Sequence, residues 1–258
     1  MATDFGAARR HPGAHESGAV LETRSVRKEF GGIVALDGVD FQVRRGEIRA
    51  LIGPNGAGKT TLINVITGLF RPTDGAIWLD GRPITGLAPK AIVRRGVVRT
   101  FQRTTIFGEC SIFDNLIVAC AAAQRYRRGT TSVTTAKNAA VAVLERVGLH
   151  DLRAVQASNL SHGDQRLLDI AIGLAMCPVV LLLDEPTAGM SLAETRHMVN
   201  VIKQLKGTAS IVIVEHDMDV VWETADTVTV LSSGRVIAEG DPATIRENEQ
   251  VRDIYLGR

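Results

Sequence analysis

Two short stretches hold residues whose types and spacing can do phosphate chemistry. The first is Gly53-Pro54-Asn55-Gly56-Ala57-Gly58-Lys59-Thr60, followed by Thr61, with the spacing G-x-x-x-x-G-K-T. Glycines let the backbone curl until successive N–H groups point inward at a β-phosphate, and a following helix adds its positive end. Lys59 in such a loop can reach the β- and γ-phosphates, and the Thr60 hydroxyl can ligate Mg²⁺. The second stretch is Val179-Val180-Leu181-Leu182-Leu183-Asp184-Glu185. A buried strand ending in two carboxylates sets Asp184 at the carboxyl edge of a sheet, beside the phosphate loop. Asp184 would there hold Mg²⁺ through water, and Glu185 would polarise an attacking water.

Both motifs need particular elements under them, and the chain supplies these. Ile48 to Ile52 is a compact apolar strand entering the glycine turn, and Lys59 to Leu69 has helical spacing. Upstream, Leu21 to Arg45 reads as short strands around Gly31-Gly32 and Asp37-Gly38, which suits an antiparallel sheet. Val97 to Phe101 is a further strand. From Val179 onward, apolar runs (Val179 to Leu183, Ser210 to Val214, Val228 to Leu231) alternate with amphipathic segments, Leu192 to Leu205 being a crossover helix. That alternation implies a parallel sheet with helices on its faces. Ser111 to Gln124 and Ala136 to Val147 are rich in helix formers, the second closed by Gly148. The stretch 103–158 fits poorly into the alternation and reads as an inserted helical sub-domain, taken as about 103–175. The fold class expected is α/β, a phosphate-loop core with an N-terminal antiparallel β sub-domain and a helical insertion. Residues 1–20 read as a flexible tail before a single domain over 21–258.

Composition narrows the function classes. Thirty basic residues against 28 acidic, with 4% aromatics, argue against a nucleic-acid partner. Cys110, Cys120 and Cys177 form no C-x-x-C pair or metal spacing and read as buried small hydrophobes in a reducing compartment. The longest nearly uncharged apolar stretch, Ile170 to Leu183, is broken by Pro178 and is shorter than the ~20 residues a spanning helix needs. The first twenty residues hold no apolar h-region. The expectation is a soluble, intracellular protein.

Three more stretches complete a pattern. Leu160-Ser161-His162-Gly163-Asp164-Gln165-Arg166 resembles the LSGGQ signature of ABC-type ATPases. Arg99-Thr100-Phe101-Gln102 resembles their Q-loop, and Val214-Glu215-His216-Asp217 their H-loop. Five motifs in family order, over roughly Leu21 to the end, identify a similarity that no single one would. The resemblance implies that ATP with Mg²⁺ is bound through Gly53, Asn55, Gly56, Ala57, Gly58, Lys59, Thr60 and Thr61. It places Phe30 to stack on adenine, Gln102 to sense Mg²⁺ and the nucleophile, and His216 to contact the γ-phosphate. Ser161 and Gly163 would bind the γ-phosphate of an ATP held by a second subunit. Taken singly these residues have plainer readings: Ser161 with Asp164 as a helix cap, Gln102 as a strand-end polar residue, His216 as a partly buried histidine, Phe30 as core.

The pattern departs from the family at His162, where a glycine is usual, at Asp164, where glutamine is usual, and at Ser191, where the D-loop commonly has Asp. Ser191 with Glu194 also reads as a capping box. Within the family, the chain looks most like the ATP-binding subunits of importers for branched-chain and other hydrophobic amino acids. Phe30-Gly31-Gly32, Glu215-His216-Asp217-Met218 and the closing 251–257 stretch carry that likeness. It implies ATP hydrolysis coupled to transport, a peripheral place on the cytoplasmic face of the plasma membrane, transmembrane permease subunits, a second ATPase subunit in a head-to-tail dimer, and indirectly a solute-binding protein. Urea or short-amide importers, lipid exporters and assembly ATPases have similar patterns. The basic run Arg125, Arg127, Arg128 falls between the two helices of the insertion, as a solvated loop tip or a contact to lipid or permease.

Overall fold

Residues 18–100 and 106–256 are described by the computed structural model. Strands β1 (Ala19–Phe30) and β2 (Ile33–Arg44) form a hairpin turned by Gly31 and Gly32, both at positive φ (53° and 88°). The Asp37-Gly38 pair, expected to turn the chain between short strands, instead lies inside β2. The chain passes it by a register shift, with Gly38 at φ 72°, so two long strands replace several short ones. Strands β4 (Asp74–Leu79) and β5 (Arg82–Pro83) extend this antiparallel sheet in the order β2-β1-β4-β5. Because β1 begins at Ala19 and buries Val20, the ordered strand starts inside the stretch read as tail.

The second sheet contains β3 (Ile48–Ile52), β6 (Val97–Arg99), β7 (Val180–Asp184), β8 (Ser210–Val214), β9 (Thr227–Ser232) and β10 (Arg235–Gly240), in the order β10-β9-β3-β8-β7-β6. All its pairings are parallel except β10 on β9. Every residue of β3, β7 and β8 is buried, which is why these strands read as continuous apolar runs. Side-chain alternation still divides them. Val180, Leu182, Val212 and Val214 pack toward the N-terminal sheet, and Leu181, Leu183, Ile211 and Ile213 pack toward the helical side. Each such Leu or Ile contributes roughly 1.5–3 kcal/mol by burial, so the sheet on which the carboxylates sit is held from both faces.

The helical side is built from α3 (Ile112–Arg128), α4 (Val133–Val147) and α5 (His162–Ala175), whose apolar faces share one core around Leu116, Leu144 and Leu168. The basic run is not in a loop. Residues 125–128 form the last turn of α3. Cys120 is buried as expected, but Cys110 and Cys177 are exposed, since each lies at an element end rather than on a packed face. Helices α1 (Lys59–Ile66), α2 (Pro89–Arg95), α6 (Leu192–Gln204), α7 (Met218–Thr224), α8 (Pro242–Glu247) and α9 (Glu249–Leu256) complete the chain. Among the described residues no helix is long and apolar enough to cross a membrane.

Candidate functional site

The loop from 53 to 58 joins buried β3 to α1, the strand–turn–helix context that a phosphate cradle needs. Two of its glycines, Gly53 and Gly58, are required by space as well as by torsion. A Cβ on Gly53 would stand 2.1 Å from the Leu231 carbonyl oxygen, and one on Gly58 (φ 106°) 2.7 Å from that of Ala35. The loop is thus wedged between the N-terminal hairpin and β9. The Gly234 amide adds a bond to the Ala57 carbonyl at 2.9 Å, and the Ala57 amide bonds Pro54 at 3.1 Å. Asn55, Gly56 and Thr60 stay exposed at its mouth. Lys59 is buried, and its ammonium donates to the carbonyls of Gly53 (2.6 Å) and Pro54 (3.0 Å). Burial pushes its pKa down, and the nearby Glu185 and Asp184 charges oppose that shift. The loop lysine and the strand-end carboxylates are therefore electrostatic neighbours, which the 124 residues of chain between Lys59 and Asp184 do not reveal.

Asp184 ends β7 and is buried, with Arg99 as partner. One guanidinium nitrogen donates to Asp184 Oδ2 and the other to Asn64 Oδ1 (2.6 Å) on α1. Arg99 is placed by β6, whose register sets it opposite Leu182. The charge-assisted pair ties the Asp184 carboxylate to the helix that carries Lys59 and Thr60. An arginine at the end of a buried strand was the available sequence signal, since such a charge needs a partner.

These donors fit a Mg²⁺ ion. An exposed hydroxyl (Thr60) and a carboxylate (Asp184) are hard oxygen ligands. Among the described residues no group of three or more His, Cys, Asp or Glu forms a protein cage. Mg²⁺ is commonly held by one or two protein oxygens, with phosphates and waters completing its octahedron.

Glu185 follows Asp184 in the left-handed region (φ 49°), a strained conformation for a non-glycine residue. Its amide bonds the Val214 carbonyl (2.8 Å), and its Oε1 lies 2.9 Å from Nε2 of His216, just past the end of β8. The structure thus brings together two residues that the sequence separates by 31 positions. His216 is 45% exposed, so the pair sits at an open surface.

The remaining expected residues are elsewhere or differently engaged. Ser161 N-caps α5, its hydroxyl accepting from the Asp164 amide (3.1 Å) and donating to the Asp164 carboxylate (2.8 Å). The cap and the signature coexist, and Asp164 is turned onto its own helix start. Gly163 lies against α6: a Cβ there would stand 2.8 Å from Glu194 Oε1. Glu194 is held below the usual carboxylate range by the Ser191 hydroxyl and amide first, and then by the Gly163 backbone and the nearby His162. Ser191 and Glu194 form the expected capping box of α6. Phe30 is half-exposed at the end of β1, edge-on to Phe70 (5.2 Å) with the Lys28 ammonium over its ring (4.6 Å). Gln102 lies outside the described residues.

Known proteins resemble this arrangement throughout. The ABC transporter family profile matches residues 36–188, and that of the branched-chain amino acid ATP-binding cassette transporter matches 235–258. The high-affinity branched-chain amino acid transport ATP-binding protein LivG of Salmonella typhimurium is 39% identical over 251 residues, 92% of this chain and 98% of LivG. BraF of Pseudomonas aeruginosa, with the same description, is 37% identical over 254 residues, covering 92% and 98%. Among solved structures, the ADP conformation of MJ1267, an ATP-binding cassette of an ABC transporter, superposes with a TM-score of 0.81. Its sequence is 30% identical, and the match covers 93% of this chain and 99% of MJ1267.

Proposed function

This chain belongs to the ABC transporter family of ATP-binding proteins, and from that premise we propose that it powers uptake of branched-chain or other hydrophobic amino acids. The amino-acid assignment is supported by the names of the LivG and BraF relatives and by the C-terminal match at 235–258. The observation that carries hydrolysis is the meeting of Glu185 Oε1 and His216 Nε2 at 2.9 Å beside the Asp184 strand end and the Lys59 loop.

In this reading the loop amides and the α1 N-terminus hold the phosphates, and Lys59 leaves the Gly53 and Pro54 carbonyls for the β- and γ-oxygens. Thr60 and Asp184 hold Mg²⁺, with Gln102 as a further ligand by resemblance; the ion supplies charge neutralisation on the phosphates when bound. Glu185 accepts the proton of the attacking water, and His216 orients Glu185 and contacts the γ-phosphate. Water attacks phosphorus in line, the bond to the bridging oxygen breaks, and ADP and phosphate leave. Ser161 and Gly163 of a second ATPase subunit complete each site in a head-to-tail dimer. Such closure covers the exposed His216 surface, and transmembrane permease subunits receive the motion at the cytoplasmic face of the plasma membrane. A solute-binding protein delivers the amino acid from the other side.

The test is affinity purification from native membranes in mild detergent with mass spectrometry, paired with uptake of labelled leucine in cells carrying Glu185→Gln. Two hydrophobic permease subunits in the eluate and uptake reduced to background are expected. Recovery from the soluble fraction without membrane partners would sink the transport reading. Undiminished hydrolysis by purified Glu185→Gln would sink the base assignment.

A further inference from the structure

Beside the hydrolytic pair is a buried carboxylate that the chemistry above does not use. Glu215, 3% exposed, lies just past the end of β8, one residue before His216. Its Oε1 accepts from the Thr187 amide (3.0 Å) and the Thr187 hydroxyl (2.6 Å), and its Oε2 accepts from the His216 amide (3.1 Å). All three partners are donors, so only a group with no N–H of its own satisfies them at both oxygens.

These bonds close a ring. Thr187 lies two residues beyond Glu185, in the turn that leads to Ser191 and α6, and the Ala188 amide bonds back to the Glu185 carbonyl (3.2 Å). Glu185 itself is tied to β8 through Val214 and to His216 through its side chain. Thus the turn after β7 and the turn after β8 are joined three ways: backbone to backbone, Glu185 to His216, and Thr187 to Glu215. The left-handed backbone at Glu185 (φ 49°) is a conformation that persists only where its surroundings over-determine it. The Glu215 clamp on Thr187 is one part of those surroundings, supplied by a side chain outside the working pair.

We propose that Glu215 is a positioning residue for ATP hydrolysis: its acceptor-only carboxylate clamps the Thr187 turn to the end of β8 and so sets the Glu185–His216 contact. This rests on the ATPase reading with Glu185 as the base. It further implies that the turn from 185 to 190 and the H-loop move as one unit when a second subunit approaches.

The test uses Glu215→Gln, which keeps shape and burial but turns an N–H₂ toward one of three donors. Thr187→Val and Thr187→Ser are its partners. ATP affinity, kcat and KM are measured for each, with thermal unfolding of the nucleotide-free proteins. Expected are ATP affinity and KM within about two-fold of wild type, and a kcat lowered about ten- to hundred-fold, as when an outer hydrogen-bond partner is removed from a working side chain. Thr187→Val should lose part of kcat, Thr187→Ser should keep it, and Thr187→Val should add little to Glu215→Gln, because both break one clamp. An unchanged kcat in Glu215→Gln would overturn the proposal. So would a loss of kcat matched by equal losses of affinity and thermal stability, or full additivity with Thr187→Val. If the wild-type protein itself does not hydrolyse ATP, the functional reading fails instead.

Discussion

Buried charge at the site is handled by pairing, and the consequences can be worked out residue by residue. Arg99 neutralises Asp184 in a location where neither is well solvated, the two side chains being 11% and 5% exposed. Arg99→Leu should therefore cost about 3 kcal/mol of stability in the nucleotide-free protein, because it strands a buried carboxylate. Adding Asp184→Asn should restore part of it, and urea unfolding of the two variants checks both. Asp169 on α5 is a different case. Burial pushes its carboxyl up from 3.8 to about 7, with Arg166 pulling the other way. The folded protein then keeps a proton that the unfolded chain has already released, so the unfolded state binds fewer protons between those two values. The contribution of Asp169 to stability is full below pH 3.8, falls as pH rises toward about 7, and levels off above. Asp169→Asn should flatten this slope, and denaturant midpoints at pH 5 and pH 8 would be compared. Equal slopes in both proteins would refute the assignment to Asp169.

At the scale of elements, the phosphate loop works because its backbone is gripped from outside. Gly53 takes φ 153° with the Leu231 carbonyl where a Cβ would go, and Gly234 bonds the loop at Ala57. Gly53→Ala must then displace β9 or the loop itself. It should destabilise the protein by about 2–4 kcal/mol and weaken ATP binding at least ten-fold, by thermal unfolding and fluorescent-nucleotide titration. Gly56, exposed and with open space around its Cα, has no such contact, and Gly56→Ala should cost only its left-handed backbone (φ 79°). The helix starts show the same economy of function and structure. Ser161 and Ser191 each cap a helix while lying in the stretches that resemble the signature and the D-loop, so a change at either alters a helix end and a contact surface together.

For the whole molecule, the proposed reading divides each site between two copies of an ATPase subunit. Lys59, Asp184, Glu185 and His216 gather at one end of the parallel sheet, whereas Ser161 and Gly163 open α5 on the helical side. In the proposed dimer the signature of one subunit meets the phosphates of the other, so hydrolysis in this reading requires two. Glu185→Gln, which binds but does not turn over, should run at about twice 27.7 kDa by light scattering when ATP and Mg²⁺ are present, and as a monomer with ADP. Adding Ser161→Ala should shift it back toward monomer. A Glu185→Gln protein that stays monomeric at saturating ATP would count against the sandwich dimer.

Sequence alone determined the local chemistry and the elements with one dominant cause. The phosphate loop, the buried strands β3, β7 and β8, and the caps at Ser161, Ser191 and Gly148 follow from glycine torsions, uninterrupted burial and side-chain caps, all local physics. Less legible were features decided by distant partners. Asp37-Gly38 looks like a turn until β1 is laid beside it, and the basic run looks like a loop until α3 packs along its length. Only the tertiary structure decided which charges meet. Sheet order brings β6 against β7 and β7 against β8, and so Arg99 to Asp184, Glu185 to His216 and Thr187 to Glu215. Register across parallel strands joined by long crossovers is fixed by packing both faces of the sheet at once, and no window of the chain contains that information.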